Sequence, residues 1–213
     1  MKSVIVTVIF VIGALIFAAF ALLIAYLFAG NRRERISTIA RQNNWRFVER
    51  MDRKKMFGNE PSIPKETLTN VIVRKEQGCI ILFFDYAAGR YGASRIMTIS
   101  ETLRIPQFTI TPRGKFRLSM QPEILLPYSQ SFSASVKVHS NNENGVRQVL
   151  TPAVVNQLSR IGRFWLDANG RSFFSDIIVG GRIPVNSIEL LLDQHAFIHW
   201  ALMHRTSGTV GFR

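Results

Sequence analysis

Asn70-Val71-Ile72-Val73-Arg74-Lys75, then Gln77-Gly78, then Cys79-Ile80-Ile81-Leu82-Phe83-Phe84-Asp85-Tyr86: the reading of these residues decides the fold. Two runs rich in β-branched and aromatic residues flank a Gln-Gly pair, which predicts a β-hairpin. The second arm is apolar at successive rather than alternate positions, as in a strand covered on both faces. A central strand of a sheet is therefore expected at Cys79–Tyr86.

Working outward, Gly89, Gly92 and Ser94 mark a loop, and Arg95–Ile99 begins a third strand. Upstream, Trp45-Arg46-Phe47-Val48 alternates as a strand, and Gly58, Pro61 and Pro64 make 52–67 a loop. Downstream, further short strands are expected at Phe108–Thr111, Phe116–Met120 and Ser131–His139. Ser129, Ser131, Ser133 and Ser135 alternate along an exposed strand face in this reading. Thr151-Pro152 starts a helix, with Thr as the cap and Pro in its first turn, ending near Gly162. Arg163–Asp167 and Arg171–Val179 flank Asn169-Gly170, a second hairpin signal, and Asn186 or Ser187 caps a last helix reaching about His204. Without βαβ alternation the domain reads as α+β, mostly an antiparallel sheet with a few packed helices.

Ahead of this domain, Val4 to Ala29 carries no charge. About 20 apolar residues cross the hydrocarbon of a bilayer, and this run exceeds that. It is also longer than the core of a signal peptide, and Leu22-Leu23-Ile24 continues past the only small-residue cleavage pattern, Ala19-Phe20-Ala21. A retained transmembrane helix is expected. Arg32, Arg33, Arg35, Arg41 and Arg46 follow it, against Lys2 alone before it, which places the carboxyl side in the cytoplasm at the inner membrane. The organisation expected is an anchor at 1–30, a basic juxtamembrane helix and loop at 31–68, the α+β domain at 69–205 and a tail at 206–213. Asn31 serves as N-cap of the juxtamembrane helix, which carries Ile36, Ile39 and Ala40 on one face and ends at Asn43-Asn44.

Net charge is +13 over 213 residues, with an isoelectric point near 10.9. The excess is densest from Arg32 to Lys55, where nine basic residues face three acids. A juxtamembrane Lys or Arg contributes about 1 kcal/mol on an anionic lipid surface, so Arg32, Arg33, Arg35 and Arg41 are the candidates for headgroup contact. The alternative is a solvated face that only marks topology. The single cysteine, Cys79, excludes an intramolecular disulfide.

Short patterns give a resemblance: Ile39-Ala40 followed by Asn44-Trp45-Arg46-Phe47, Asn70-Val71-Ile72, Phe84-Asp85-Tyr86, Pro106-Gln107-Phe108 with Thr111-Pro112, and Val149-Leu150-Thr151-Pro152. The chain resembles a family of bacterial membrane-anchored proteins with one N-terminal transmembrane helix. Where that pattern has glycine before the tryptophan, this chain has Asn44, which also tolerates left-handed geometry. The resemblance implies the architecture and brings no activity, cofactor or catalytic residue.

A search for chemistry yields isolated groups. His195 and His199, four apart on a helix, could seat two ligands of a zinc ion, but Ala196 stands where H-E-x-x-H needs its base and no third ligand is placed. Histidines packed in the core are the plainer reading. Cys79 opens an apolar strand and is expected to be inert. Asp85 at the strand end is a turn residue or an arginine's partner unless a second carboxylate joins it. No phosphate-binding glycine motif or nucleophile elbow occurs. Arg90, Tyr91 and Arg95, and Arg113, Lys115 and Arg117, form basic loops that could meet nucleic acid, yet no known nucleic-acid motif accompanies them. The favoured function is a non-enzymatic binding or scaffold module with no cofactor, an accessory subunit partnered by other membrane proteins and by lipid. The alternatives are a membrane-tethered enzyme using Asp85, His139, His195 or His199 on a lipid or anionic metabolite, and a nucleic-acid-binding domain.

Overall fold

A computed structural model describes residues 2–52, 67–88, 91–114, 120–162, 164–175 and 181–204, with side chains of 2–11, 21, 22, 24–30, 88 and 91 outside the description. The first element, α1, is one helix over Lys2–Gln42, about 60 Å long at 1.5 Å per residue. It crosses residues 30 and 31 unbroken, so Asn31 is an interior helical residue and caps nothing. Gly30-Asn31 is a weak helix-forming pair, but a continuing helix satisfies the backbone groups a cap would have served. Ile12, Leu15, Ile16, Phe17, Phe20 and Leu23 are all exposed on it, by 51 to 75%. Among the described residues, which leave out the side chains of 2–11, 21, 22 and 24–30, no helix is long and apolar enough to cross a membrane. The helix ends as a Schellman turn. Trp45 N–H donates to the Ala40 carbonyl and Asn44 N–H to that of Arg41, with Asn44 left-handed at φ 56°.

Among the described residues nine strands make one antiparallel sheet: β1 (Arg46–Met51), β2 (Leu68–Glu76), β3 (Cys79–Ala88), β4 (Tyr91–Ser100), β5 (Ile105–Pro112), β6 (Glu123–Ile124), β7 (Val136–His139), β8 (Leu166–Gly170) and β9 (Ser172–Ser175). Their order is β1-β2-β3-β4-β9-β8-β5-β7-β6. The fold class is thus α+β. The β2–β3 hairpin turns at Gln77-Gly78, with Gly78 at φ 74°, and β3 lies inside the sheet with Ile81 to Phe84 fully buried. The second hairpin pairs Asn169 with Ser172, so its turn is Gly170-Arg171, one residue beyond the expected pair, with Gly170 at φ 60°.

Two further expectations need correction. Gly92 and Ser94 lie within β4 and not in a loop. A Cβ at Gly92 would stand 2.7 Å from Arg182 Nη2, so the Arg182 guanidinium lies directly over the glycine. The serine run is not a strand face. Gln130–Ser135 is a short helix, α2, and the Ser129 hydroxyl accepts from Phe132 N–H as its cap, the role serine fills best. Glu143–Val149, for which no helix is expected, forms α3 behind the Asn142 cap, whose side chain accepts from Gly145 N–H. The Thr151-Pro152 start holds for α4 (Pro152–Ser159), and the last helix, α5 (Ile188–Met203), follows a 3-10 turn at Val185–Ser187. All but Met120 of the strand expected at Phe116–Met120, most of the 52–67 loop and the 206–213 tail lie outside the described residues.

Side-chain alternation then fixes the layers. On one face of the first half-sheet, Ile72, Cys79, Ile81, Phe83 and Ile96 pack under Ile36 and Ala40 of α1 and Ile188 and Leu192 of α5. Leu68, Val71, Leu82, Phe84 and Met97 form the opposite face. The second half, β5, β7 and β8, packs against α2, α3, α4 and the end of α5 through Phe108, Phe132, Val146, Val155 and Leu202.

Candidate functional site

β3 aims Cys79, Ile81, Phe83 and Asp85 at α1 and α5, so its last core-facing position holds a carboxylate that is 2% exposed. Isolated, that burial would be costly. Arg32 satisfies it from α1: Nε donates to Asp85 Oδ2 at 3.0 Å and Nη2 to Oδ1 at 2.9 Å, a bidentate fork. Two further donors are used, Nη1 on the Ile183 carbonyl at 2.9 Å and Nη2 on Ser94 Oγ at 3.1 Å. Asn70 Nδ2 donates to Asp85 Oδ2 at 2.9 Å. A bulge makes this possible: between Thr69 and Ile72, β2 carries one residue more than β3 opposite, and Asn70 sits left-handed at φ 50°. Ser94 closes the cluster, donating to Asp85 Oδ1 and accepting from Ile183 N–H at 3.1 Å. α1, β2, β3, β4 and the strap before α5 therefore meet at one saturated ion pair.

The core-facing side of β4 continues as Ser94, Ile96, Thr98, Ser100. Here α5 docks by its histidines, with His195 Nδ1 2.9 Å from Thr98 Oγ1 and His199 Nε2 3.0 Å from Ser100 Oγ. Four helical residues rise about 6 Å and two strand residues about 6.7 Å, so the two spacings match. His195 is stacked on Phe173 at 5.3 Å, and its Nε2 is buried without a partner. Burial pushes its pKa down to about 3. That of His199 is also lowered, by burial first and then by His204 nearby. The two histidines share a helix face but bind separate hydroxyls, and no group of three or more metal-ligating side chains occurs among the described residues. At the end of α5, a cavity of about 510 Å³ lies between Trp200, Met203, His204 and the β2–β3 turn.

The other residues singled out from sequence are dispersed. His139 on β7 is held by the Gln121 carbonyl at 3.2 Å, in the other half-sheet from Asp85, so the four candidate enzyme groups do not converge. Cys79 is buried and its thiol is pushed up to about 11, chiefly by burial. Arg95 lies 4.3 Å over the Phe174 ring and 5.5 Å from that of Tyr86. Arg113 binds Glu123 at 2.7 Å and the Ser133 carbonyl. Lys115, Arg117 and Arg90 lie outside the described residues. Of the four arginines expected at headgroups, Arg32 is corrected: its guanidinium faces inward, consumed by Asp85. Arg33 is exposed and pairs with Glu49 at 2.7 Å, while Arg35 and Arg41 are exposed on α1.

No protein-family model and no curated protein matches the chain. Among solved structures, it is similar to the crystal structure of the mycobacterial trehalose monomycolate transport factor A, TtfA, at a TM-score of 0.54 and 13% identity, over 84% of this chain and 98% of that one. At that identity the likeness establishes a common fold.

Proposed function

We propose that this protein is a single-pass, membrane-anchored scaffold, an accessory subunit of a larger membrane assembly, with its domain on the cytoplasmic side. The observation that carries the reading is the continuity of α1. Large apolar side chains are exposed at Ile12 to Leu23, and nine residues further along the same helix Arg32 is clamped into the sheet. Contiguous exposed apolar surface of this kind suits lipid or partner helices. A flexible tether would serve an enzyme that only needs tethering. A helix locked at its base holds the sheet at a fixed height and rotation, which suits bracing. Arg32, Arg33, Arg35 and Arg41, which follow the uncharged run within α1, favour a cytoplasmic domain, and the uncharged run Val4–Ala29 favours a crossing. The fold neighbour is described as a transport factor, and we extend to this chain only the idea of service to membrane transport machinery.

The test is purification of a tagged full-length copy from native membranes in mild detergent, with sizing on native gels and identification of co-purifying chains. A discrete complex of fixed stoichiometry is expected. A protein extracted alone, or recovered without membranes, overturns the proposal.

A further inference from the structure

A polar niche of about 450 Å³ opens where α1 passes the 3-10 turn, lined by Asn31, Glu34, Arg35, Thr38, Val185 and Asn186, with Ile39 beside them. It is separate from the Arg32 cluster, which occupies the neighbouring face of α1. Asn31, Glu34, Arg35 and Asn186 are exposed, whereas Thr38, Ile39 and Val185 are half-buried. Glu34 and Arg35, adjacent in sequence, both line this niche, yet no ion pair joins them, and among the described residues neither charged group has another ion-pair partner. The niche thus presents one anion-binding and one cation-binding group, with two side-chain amides nearby.

Its height follows from helix geometry and rests on the membrane reading above. Counting 1.5 Å per residue from the end of the apolar run, Asn31 stands about 3 Å, Glu34 about 7.5 Å and Arg35 about 9 Å beyond Ala29. The headgroup layer is about 5–8 Å deep on each side of the hydrocarbon. Glu34 and Arg35 are therefore level with headgroups or just past them. We propose that this niche is a site for the headgroup of an amine-bearing phospholipid, with its phosphate on Arg35, Asn31 and Asn186 and its ammonium on Glu34. The half-buried Ile39 and Val185 exclude water from one side, which strengthens both charge pairs. A glycerol headgroup brings no cation, leaving Glu34 facing an anion. A choline headgroup brings a cation without N–H donors.

The experiment uses the full chain in nanodiscs containing phosphatidylethanolamine, phosphatidylglycerol and phosphatidylcholine in equal amounts, with native mass spectrometry of the lipids it retains on release. Phosphatidylethanolamine should be retained over both others. Glu34→Gln should reduce that preference roughly five-fold, and Arg35→Gln should lower retention of all three lipids by a similar factor. Both substitutions alter exposed groups without ion-pair partners, so the fold is unaffected. Phosphatidylglycerol or phosphatidylcholine held as well as phosphatidylethanolamine, or a preference that survives Glu34→Gln, overturns the niche. A chain that enters nanodiscs without selectivity refutes the niche alone, whereas one that never enters them refutes the anchor as well.

Discussion

Asp85 and Arg32 are 53 residues apart in sequence and form the most demanding contact in the protein. Their side chains are 4% and 13% exposed, so little water screens the pair. Removing one partner leaves a charge with nothing to neutralise it, and such losses run to about 3 kcal/mol or more. Asp85→Ala should therefore lower unfolding stability of the full chain in detergent micelles by about that amount. The double substitution Arg32→Met with Asp85→Leu should cost less than the single one, because it removes both desolvation penalties together. A single-variant loss below about 1 kcal/mol would mean the pair behaves like a surface bridge. His195 makes a second prediction at this scale. Above pH 6.5 it is neutral folded and unfolded and contributes no pH dependence. Below pH 6.5 the unfolded chain takes up a proton that the folded site, with a pKa near 3, refuses. Stability therefore falls as the pH falls, by up to about 1.4 kcal/mol per pH unit from this group. His199, shifted the same way, adds to the slope. Denaturation midpoints between pH 6.5 and 5 should show it, and His195→Phe should make it shallower; an unchanged slope would remove His195 as its source.

At the level of elements, α1 acts as one rod through the position where two segments were expected, and this gives its function a phase. One residue inserted between Gly30 and Asn31 leaves the Arg32 contact intact and turns the apolar part by about 100° relative to the sheet. Seven inserted residues return it to within about 20°. If α1 braces a partner, the single insertion should abolish co-purification, with equal amounts of protein in the membrane. The seven-residue insertion, which restores the phase but moves the apolar part about 10.5 Å along the axis, should restore it only in part. Recovery indifferent to phase would make α1 a mere tether. The hairpins, the Thr151 cap and the Asn44 turn were legible because their signals are local: a two-residue turn, a capping hydroxyl, a left-handed residue. The Arg32–Asp85 pair was not, because no spacing rule links residues so far apart, although Asp85 as an arginine's partner was among the readings of that residue. The β2 bulge falls at Asn70, whose tolerance of left-handed geometry is its only local mark among strand-forming neighbours. Ser94, Thr98 and Ser100 did carry a signal, hydroxyls on one side of a strand, matched by His195 and His199 on the last helix. The serines at 129–135 misled because alternation over so few residues suits a capped helical turn equally well.

For the molecule as a whole, the sheet has two halves joined where β9 pairs with β4, and α1 reaches only the first of them. The second half, closed by α2, α3 and α4, stands away from the anchor and is the part placed to meet a partner in the cytoplasm under the proposed topology. That topology can be read with one thiol. Cys79 is buried and held as a thiol, so it reacts slowly and provides a low background without being replaced. Gln42, exposed on the last residue of α1, is the reporter position when changed to cysteine. In intact spheroplasts a membrane-impermeant maleimide should leave Gln42→Cys unlabelled, and permeabilising the inner membrane should make it label fully. Labelling before permeabilisation would put the sheet outside the cytoplasm, and the arginines that follow the uncharged run would then have to act against the orientation their charge favours. Such a result would leave the clamp at Arg32 untouched. The brace would then hold its partner from the opposite face of the membrane.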